Sequence, residues 1–201
     1  MKLGISNQQN SISIHFVIIN VLCWIASLLL PRIGIDLIEK FGLHYWAGSD
    51  FNPIQLVTYM FLHDTSSIYH LLFNMVCLYT FGTVLERAFG TKRFLIYYFF
   101  TGIGAGLIQE LAWAYDLHAF TAEVAQLTES GIANGLDIGN GTILHSVDEL
   151  TRFADDVYNK HITVGASGAM FGLLIAFGLL FPNAPLFIMF IPIPIKAKYL
   201  V

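Results

Sequence analysis

Four long apolar stretches divide the chain, and each approaches the length of a membrane-spanning helix. They cover residues 12–30, 69–85, 94–115 and 162–181. A helix that crosses about 30 Å of hydrocarbon needs roughly 20 residues at 1.5 Å of rise each. No signal-peptidase site follows the first stretch, which ends at Pro31 and Arg32, so we interpret it as a retained helix. The pattern predicts an all-α, polytopic membrane helix bundle with four spans and, at 196–201, the first turn of a fifth.

The connections between the spans carry shorter patterns. In the connection 116–161, five apolar residues recur at three- and four-residue steps: Leu144, Val147, Leu150, Phe153 and Val157. This spacing predicts an amphipathic helix that lies on the bundle or at the lipid interface. Residues 51–62 are apolar but contain Pro53 and are too short to span, which favours an interfacial or re-entrant segment. After the fourth span we expect the chain to be broken by Pro182, Pro185, Pro192 and Pro194.

Composition supports the membrane assignment. Hydrophobic residues make up 56% of the chain and charged residues 12%, which is too apolar for a soluble domain of 201 residues. A net charge of -4 gives no basic surface for a phosphate backbone, so nucleic acid is excluded as a partner. The cysteines, Cys23 and Cys77, lie in apolar runs without the spacing of a zinc site. We expect no metal and no cofactor.

Basic residues set the expected orientation. Arg87, Lys92 and Arg93 crowd the turn between the second and third spans, and short basic segments favour the cytoplasmic side. The N-terminus and the segment 182–198 are then inside, whereas the connections 31–68 and 116–161 are outside. The second of these holds eight acidic and two basic residues, a net charge of -6. We expect a multi-pass protein of a bacterial cytoplasmic membrane with its N-terminus in the cytoplasm.

Three polar residues inside the spans are candidates for function, because a polar group in hydrocarbon costs several kcal/mol when unpaired. His70 and Asn74 lie one turn apart on one helix face, and Ser167 lies in Gly165-Ala166-Ser167-Gly168 at the same expected depth. A serine nucleophile needs a base and donors for the oxyanion. The alternative is packing: Gly168-xxx-Gly172 and Gly102-xxx-Gly106 are small-xxx-small patterns, and histidine or asparagine can join helices.

These residues resemble motifs of the rhomboid intramembrane serine proteases. Residues 70–74 are similar to the family's HxxxN, residues 82–90 to its GxxxExxxG with Glu86 at the centre, and residues 165–168 to its GxSG. The resemblance runs from about Phe51 to Val201. It divides the chain into an N-terminal segment, 1–50, with the first transmembrane helix and the start of the first outer connection, and a rhomboid protease domain, 51–201, incomplete at its C-terminus.

The resemblance implies a six-helix bundle that cleaves transmembrane proteins in the lipid bilayer by a Ser–His dyad. Ser167 would attack the scissile carbonyl, while its backbone N–H, His70 and Asn74 stabilise the oxyanion. The flanking Gly165 and Gly168 would let the substrate backbone approach. Phe171, four residues later, would keep the ring of the family's tyrosine without its hydroxyl. Glu86 would hold the helix end and a nearby loop; its alternative is an ordinary charge at the membrane boundary.

The sequence also departs from the family. The family's general base is a histidine on the sixth helix, and no residue here matches it, so we expect the chain as written to be an inactive N-terminal portion of an endopeptidase. Ile54-Gln55-Leu56 stands where members often have Trp-Arg. One alternative is a catalytically inactive rhomboid-like protein that binds membrane clients. A channel or carrier would need charges along a path through the bundle, and only Glu110 qualifies.

Overall fold

The computed structural model describes residues 11–132, 135–139, 141–187 and 194–199. The expectations for the N-terminal end, Pro192, Leu200 and Val201 lie outside this part of the chain. The α-helices are α1 (Ile12–Leu29), α2 (Leu37–Phe41), α3 (Gln55–Thr58), α4 (Ile68–Cys77), α5 (Thr83–Phe89), α6 (Thr91–Asp116), α7 (His118–Ser130), α8 (Val147–Asn159) and α9 (Ser167–Leu180). The strands are β1 (Leu43–His44), β2 (Leu136–Asp137), β3 (Ile143–Leu144), β4 (Ile162–Thr163), β5 (Pro185–Phe187) and β6 (Pro194–Lys196).

Within the described residues, three helical stretches are long and apolar enough to cross a membrane. They are Ile12–Ile33, Ile68–Phe89 and Thr91–Asp116. The second is continuous from α4 to α5 through a π-helical turn at Leu78–Gly82. These helices pack around one apolar core, in which Leu78, Leu85 and Tyr98 are fully buried. The predicted fold class, an all-α polytopic membrane helix bundle, is confirmed.

The first helix is polar on its inner face and apolar on its outer face. Ser13, Asn20 and Ser27 are buried, whereas Leu22 and Leu29 are at least half exposed. The buried amide of Asn20 donates to Phe16 O at 2.7 Å, whereas its carbonyl oxygen finds no partner among the described residues. Apolar side chains on the outside and polar ones inside are the arrangement that a hydrocarbon solvent favours.

The fourth apolar stretch is helical over a shorter range than predicted. Its helix, α9, has 14 residues and begins at Ser167, not at Ile162. Ile162 and Thr163 instead form β4, which pairs antiparallel with β1 through Leu43↔Thr163 and His44↔Ile162. The run of apolar residues covers both the strand and the helix, but it cannot indicate a strand partner that lies more than a hundred residues away in sequence. This pairing joins the connection 31–68 to the end of the connection 116–161 at one end of the bundle.

Glycines bring α6 and α9 into close contact. A Cβ atom on Gly168 would lie 2.3 Å from the Ala105 Cβ, and one on Gly172 would lie 2.6 Å from the Thr101 Cβ. The other small-xxx-small pair serves a different contact: a Cβ on Gly102 would lie 2.0 Å from the Met60 Cε. The helix α6 is therefore packed on two sides, against α9 and against residues 43–60.

The connection 116–161 folds into a helical unit, the cap (residues 118–159). The predicted amphipathic helix is present as α8, except that Leu144, which the prediction placed in it, lies in β3. The buried residues of α8, Leu150, Ala154 and Tyr158, face α7 and Tyr45. Ser146 caps the start of α8, since its Oγ accepts from the Glu149 N–H, and the Glu149 carboxylate accepts from the N–H of His145, one residue before Ser146. The helix α7 was not predicted. After α9, strands β5 and β6 pair antiparallel with each other. The sequence predicted only that prolines interrupt the chain there.

We expect Gly172→Ala to destabilise the protein by about 1–3 kcal/mol, because the added methyl group collides with the Thr101 Cβ and the helices must separate. The measurement is thermal unfolding in detergent. Gly104→Ala is the matched control on α6: its Cβ would meet nothing within 4 Å, and alanine is the better helix former by about 0.5–1 kcal/mol. Equal melting temperatures of the two variants would contradict this account of the α6–α9 contact.

Candidate active site

Ser167 is the first residue of α9, directly after a turn built around Gly165. The φ angle of Gly165 is 131°, in the region that favours glycine, and its N–H donates to Tyr59 O at 2.9 Å. Gly165 and Ala166 are buried, whereas Ser167 is exposed. The turn therefore ends β4 and presents the Ser167 hydroxyl at the start of the helix.

The imidazole of His70 lies on the same side of Gly165 as this hydroxyl. A Cβ atom on Gly165 would meet His70 Cε1 at 3.0 Å, His70 Nε2 at 3.1 Å and Ser167 Oγ at 3.7 Å. Glycine is thus required here twice, by its backbone angle and by the close approach of the ring. The structure brings together His70 and Ser167, which are nearly a hundred residues apart in sequence.

Asn74 lies one helical turn beyond His70 and is almost fully buried, with 2% of its surface exposed. Its side-chain amide donates to the backbone oxygen of His70 at 2.8 Å. Asn74 shares the helix face of His70, as predicted, and is fastened to its own helix. Its second N–H and its carbonyl oxygen remain available for a different group.

The backbone at the start of α9 is suited to a developing negative charge. The first N–H groups of a helix, including that of Ser167, have no partner within the helix. The helix dipole places partial positive charge at the same point. The start of α9 therefore offers unpaired backbone N–H groups and partial positive charge close to the His70 ring.

His63 is a neighbour of the site that the sequence analysis did not select. Its ring centroid lies 5.2 Å from that of His70, it is fully buried, and neither ring nitrogen finds a hydrogen-bond partner among the described residues. Burial, with a smaller contribution from His70, lowers the pKa of His63 from 6.5 to about 4. His63 is therefore neutral near pH 7. It precedes α4, so helical spacing from His70 could not have indicated the contact.

Phe171 continues the line of Ser167 along α9. It is 66% exposed, and Ile175 and Leu179, at the next two four-residue steps, are 47% and 74% exposed. Residues four apart share a helix face. The Ser167 hydroxyl thus stands at the end of an apolar stripe that the described residues leave uncovered.

Glu86 lies away from this site, about 24 Å along the helix from His70 at 1.5 Å per residue. Its carboxylate accepts hydrogen bonds from Ser11 Oγ at 2.5 Å, from the Ile12 and Ser13 N–H groups at 3.0 and 3.1 Å, and from Ser13 Oγ at 2.9 Å. A fifth comes from Thr91 Oγ1 at 3.0 Å. Glu86 therefore joins the start of α1 to the turn between α5 and α6.

The remaining histidines are engaged elsewhere. His15, His44, His118 and His161 each place a ring nitrogen within hydrogen-bond distance of a backbone oxygen, that of Ser11, Glu39, Tyr115 and Val157 respectively. His145 is exposed in the cap. Among the described residues, no group of three histidine, cysteine or acidic side chains could hold a metal ion.

Comparisons with known proteins place this geometry in context. A model of the rhomboid domain matches residues 50–201. The Rhomboid-like protease 3 of Toxoplasma gondii is 40% identical over 78 residues, which cover 38% of this chain and 29% of that protein. The chain thus spans less than a third of the length of this curated relative. No solved structure matches the chain.

We expect acid to destabilise the protein through His63. His63 takes up a proton near pH 6.5 in the unfolded chain but only near pH 4 in the folded chain. The contribution of neutral His63 to the free energy of unfolding is therefore complete above pH 6.5 and is lost as the pH falls towards 4. Between pH 7 and 5 the loss is about 2 kcal/mol. Unfolding of His63→Phe in detergent should lack this part of the pH dependence. His145→Phe, at the exposed histidine, should keep it; identical pH profiles of the two variants would count against the assignment.

Proposed function

Because the chain belongs to the rhomboid family, whose domain model matches residues 50–201, we propose that the complete protein is an intramembrane serine endopeptidase with Ser167 as its nucleophile. The family match and the protease relative support intramembrane protease activity in general. The observation that carries the finer proposal is the convergence of His70 and Ser167 on Gly165 at the start of α9. Substrates are transmembrane proteins.

In the proposed reaction, Ser167 Oγ forms a bond to the scissile carbonyl carbon and its proton passes to a general base. The oxyanion accepts from the Ser167 N–H, the His70 ring and the Asn74 amide. The base then protonates the leaving amine, and water hydrolyses the acyl-enzyme. Loss of one oxyanion donor typically lowers turnover by about 10²–10³-fold.

The general base would be a histidine on a helix that covers the stripe of Ser167, Phe171, Ile175 and Leu179 in the complete protein. Two features support this assignment. The stripe is apolar and uncovered among the described residues, and the Ser167 hydroxyl stands at its end. His70 then keeps the role of oxyanion donor, which its position beside the Ser167 hydroxyl at Gly165 allows.

A second candidate function is a catalytically inactive rhomboid-like protein that binds membrane clients. It is favoured by the engagement of His15, His44, His118 and His161 with backbone oxygens away from Ser167. Under this alternative the site around Gly165 holds a client helix without cleaving it. Substitution of Ser167 separates the two functions.

In the complete protein, we expect Ser167→Ala to abolish cleavage of a transmembrane reporter, a fall of roughly 10⁴-fold or more, because the proposed acyl-enzyme forms on the Ser167 hydroxyl. The measurement is reporter cleavage in membranes, with protein abundance followed by immunoblot. Ser130→Ala, at an exposed serine of the cap, is the control and should cleave normally. Cleavage that survives Ser167→Ala would refute the nucleophile. Capture of the reporter without cleavage by wild-type protein would favour the inactive client binder.

The proposed orientation places the N-terminus in the cytoplasm and the cap outside. With Cys23 and Cys77 replaced by serine, an impermeant maleimide should label Ser130→Cys in intact cells, because this residue is exposed in the cap. Ala88→Cys, exposed beside the basic turn, should react only after lysis. The reverse pattern of labelling would invert the topology.

A further inference from the structure

The cap contains a groove between α7, the β2–β3 hairpin and α8, with a volume of about 290 Å³. Its apolar lining includes Phe120, Leu127, Leu150 and Phe153. Phe120 and Phe153 pack edge to face with their ring centroids 6.2 Å apart, and both are only half-buried. A space at the lower limit of ligand-site volumes suits one or two large side chains of a peptide better than a lipid chain.

The charged groups of this groove are acidic. Glu123 on α7 and Asp137 on β2 line it, and both are exposed. Asp137 Oδ1 accepts from the Gly139 N–H at 2.9 Å, which fixes its carboxylate at the turn. Of the described residues that line the groove, none is lysine or arginine, and by sequence the whole connection 116–161 carries a net charge of -6. Apolar walls with two carboxylates complement a segment that carries apolar and basic side chains.

The helix α8, which forms one wall of the groove, is joined to the first connection by defined contacts. On α8, Asp155 accepts from the Ser49 N–H at 2.8 Å and from Ser49 Oγ at 2.7 Å, and the Asn159 amide donates to Ser49 Oγ at 3.1 Å. Directly after α8, strand β4 leads to Gly165 and Ser167. The cap is thus fixed at the same end of the bundle as the Ser167 hydroxyl, where the end of a client helix would emerge.

We infer that this groove is an exosite for the juxtamembrane segment of a transmembrane client that carries lysine or arginine next to large apolar residues. The inference rests on the proposed function for the identity of the client. The transmembrane part of the client would lie beside Ser167, and its flanking basic residues would pair with Glu123 and Asp137. The acidic field of the cap would also raise the rate of encounter with such clients.

Binding can be measured apart from cleavage. The test uses the complete protein carrying Ser167→Ala in detergent, with a synthetic transmembrane peptide that bears four lysines and one photoreactive phenylalanine after its outer end. The comparison peptide has four glutamines instead. We expect the lysine peptide to bind about 3- to 10-fold more tightly at low salt, to lose this advantage at high salt, and to cross-link to the cap.

Charge reversal distinguishes the groove from the general field of the cap. Glu123→Lys should remove the preference for the lysine peptide. Glu129→Lys makes the same change in net charge on the same helix, at an exposed residue that does not line the groove, and should preserve it. Equal effects of the two variants, or equal affinities of the two peptides for the parent protein, would overturn the exosite. If the proposed protease activity fails instead, the lysine preference persists in this assay while the wild-type protein cleaves neither peptide.

Discussion

The position of Ser167 depends on how closely α9 approaches α6. Hydrophobic burial between apolar helices gives little preference for one arrangement in a lipid solvent, so contact between backbones has to supply it. At Gly168 and Gly172 the space for a side chain is already filled by Ala105 and Thr101. The helix α6 is in turn pressed against Met60 at Gly102, and Tyr59, next to Met60, accepts the Gly165 N–H. One series of close contacts thus runs from the first connection through α6 to the turn that presents the hydroxyl.

Two buried carboxylates, at opposite ends of the bundle, accept hydrogen bonds from backbone N–H groups where a helix begins or a strand ends. Glu86 accepts the N–H groups of Ile12 and Ser13, which the first turn of α1 leaves without partners. Glu110, only 1% exposed, accepts the N–H of Trp46 at 2.9 Å, where the chain leaves β1. In hydrocarbon an unpaired backbone group costs several kcal/mol. An acidic residue inside a span can therefore bind the backbone where the chain enters or leaves the bundle, and it need not take part in transport or catalysis. The sequence marked Glu110 as a possible residue of a transport path because it could not indicate the contact with Trp46.

Prediction from sequence succeeded where the signal is local. The first three spans follow from runs of apolar residues, and α8 follows from the spacing of its apolar face. The assignment of His70, Asn74 and Ser167 to a catalytic site also came from local motifs, and it stays a prediction. What the sequence could not supply is non-local: the pairing of β1 with β4, which shortens the fourth helix, and the burial of His63 against His70. The helix α7 was not predicted because its apolar residues do not form a narrow stripe. The contact of Glu86 with Ser11 was not predicted because the two residues are more than seventy positions apart in sequence.

The two ends of the cap meet at one residue, Trp113. The N–H of Leu117 donates to Trp113 O at 2.8 Å, and the ring of His161 packs on the ring of Trp113 with centroids 6.0 Å apart. A segment that leaves and re-enters the bundle at one point can change in length without moving the helices on either side, since the cost of closing a longer loop grows only slowly. The cap is in this sense a replaceable module. The membrane bundle can remain constant while the surface of the cap varies.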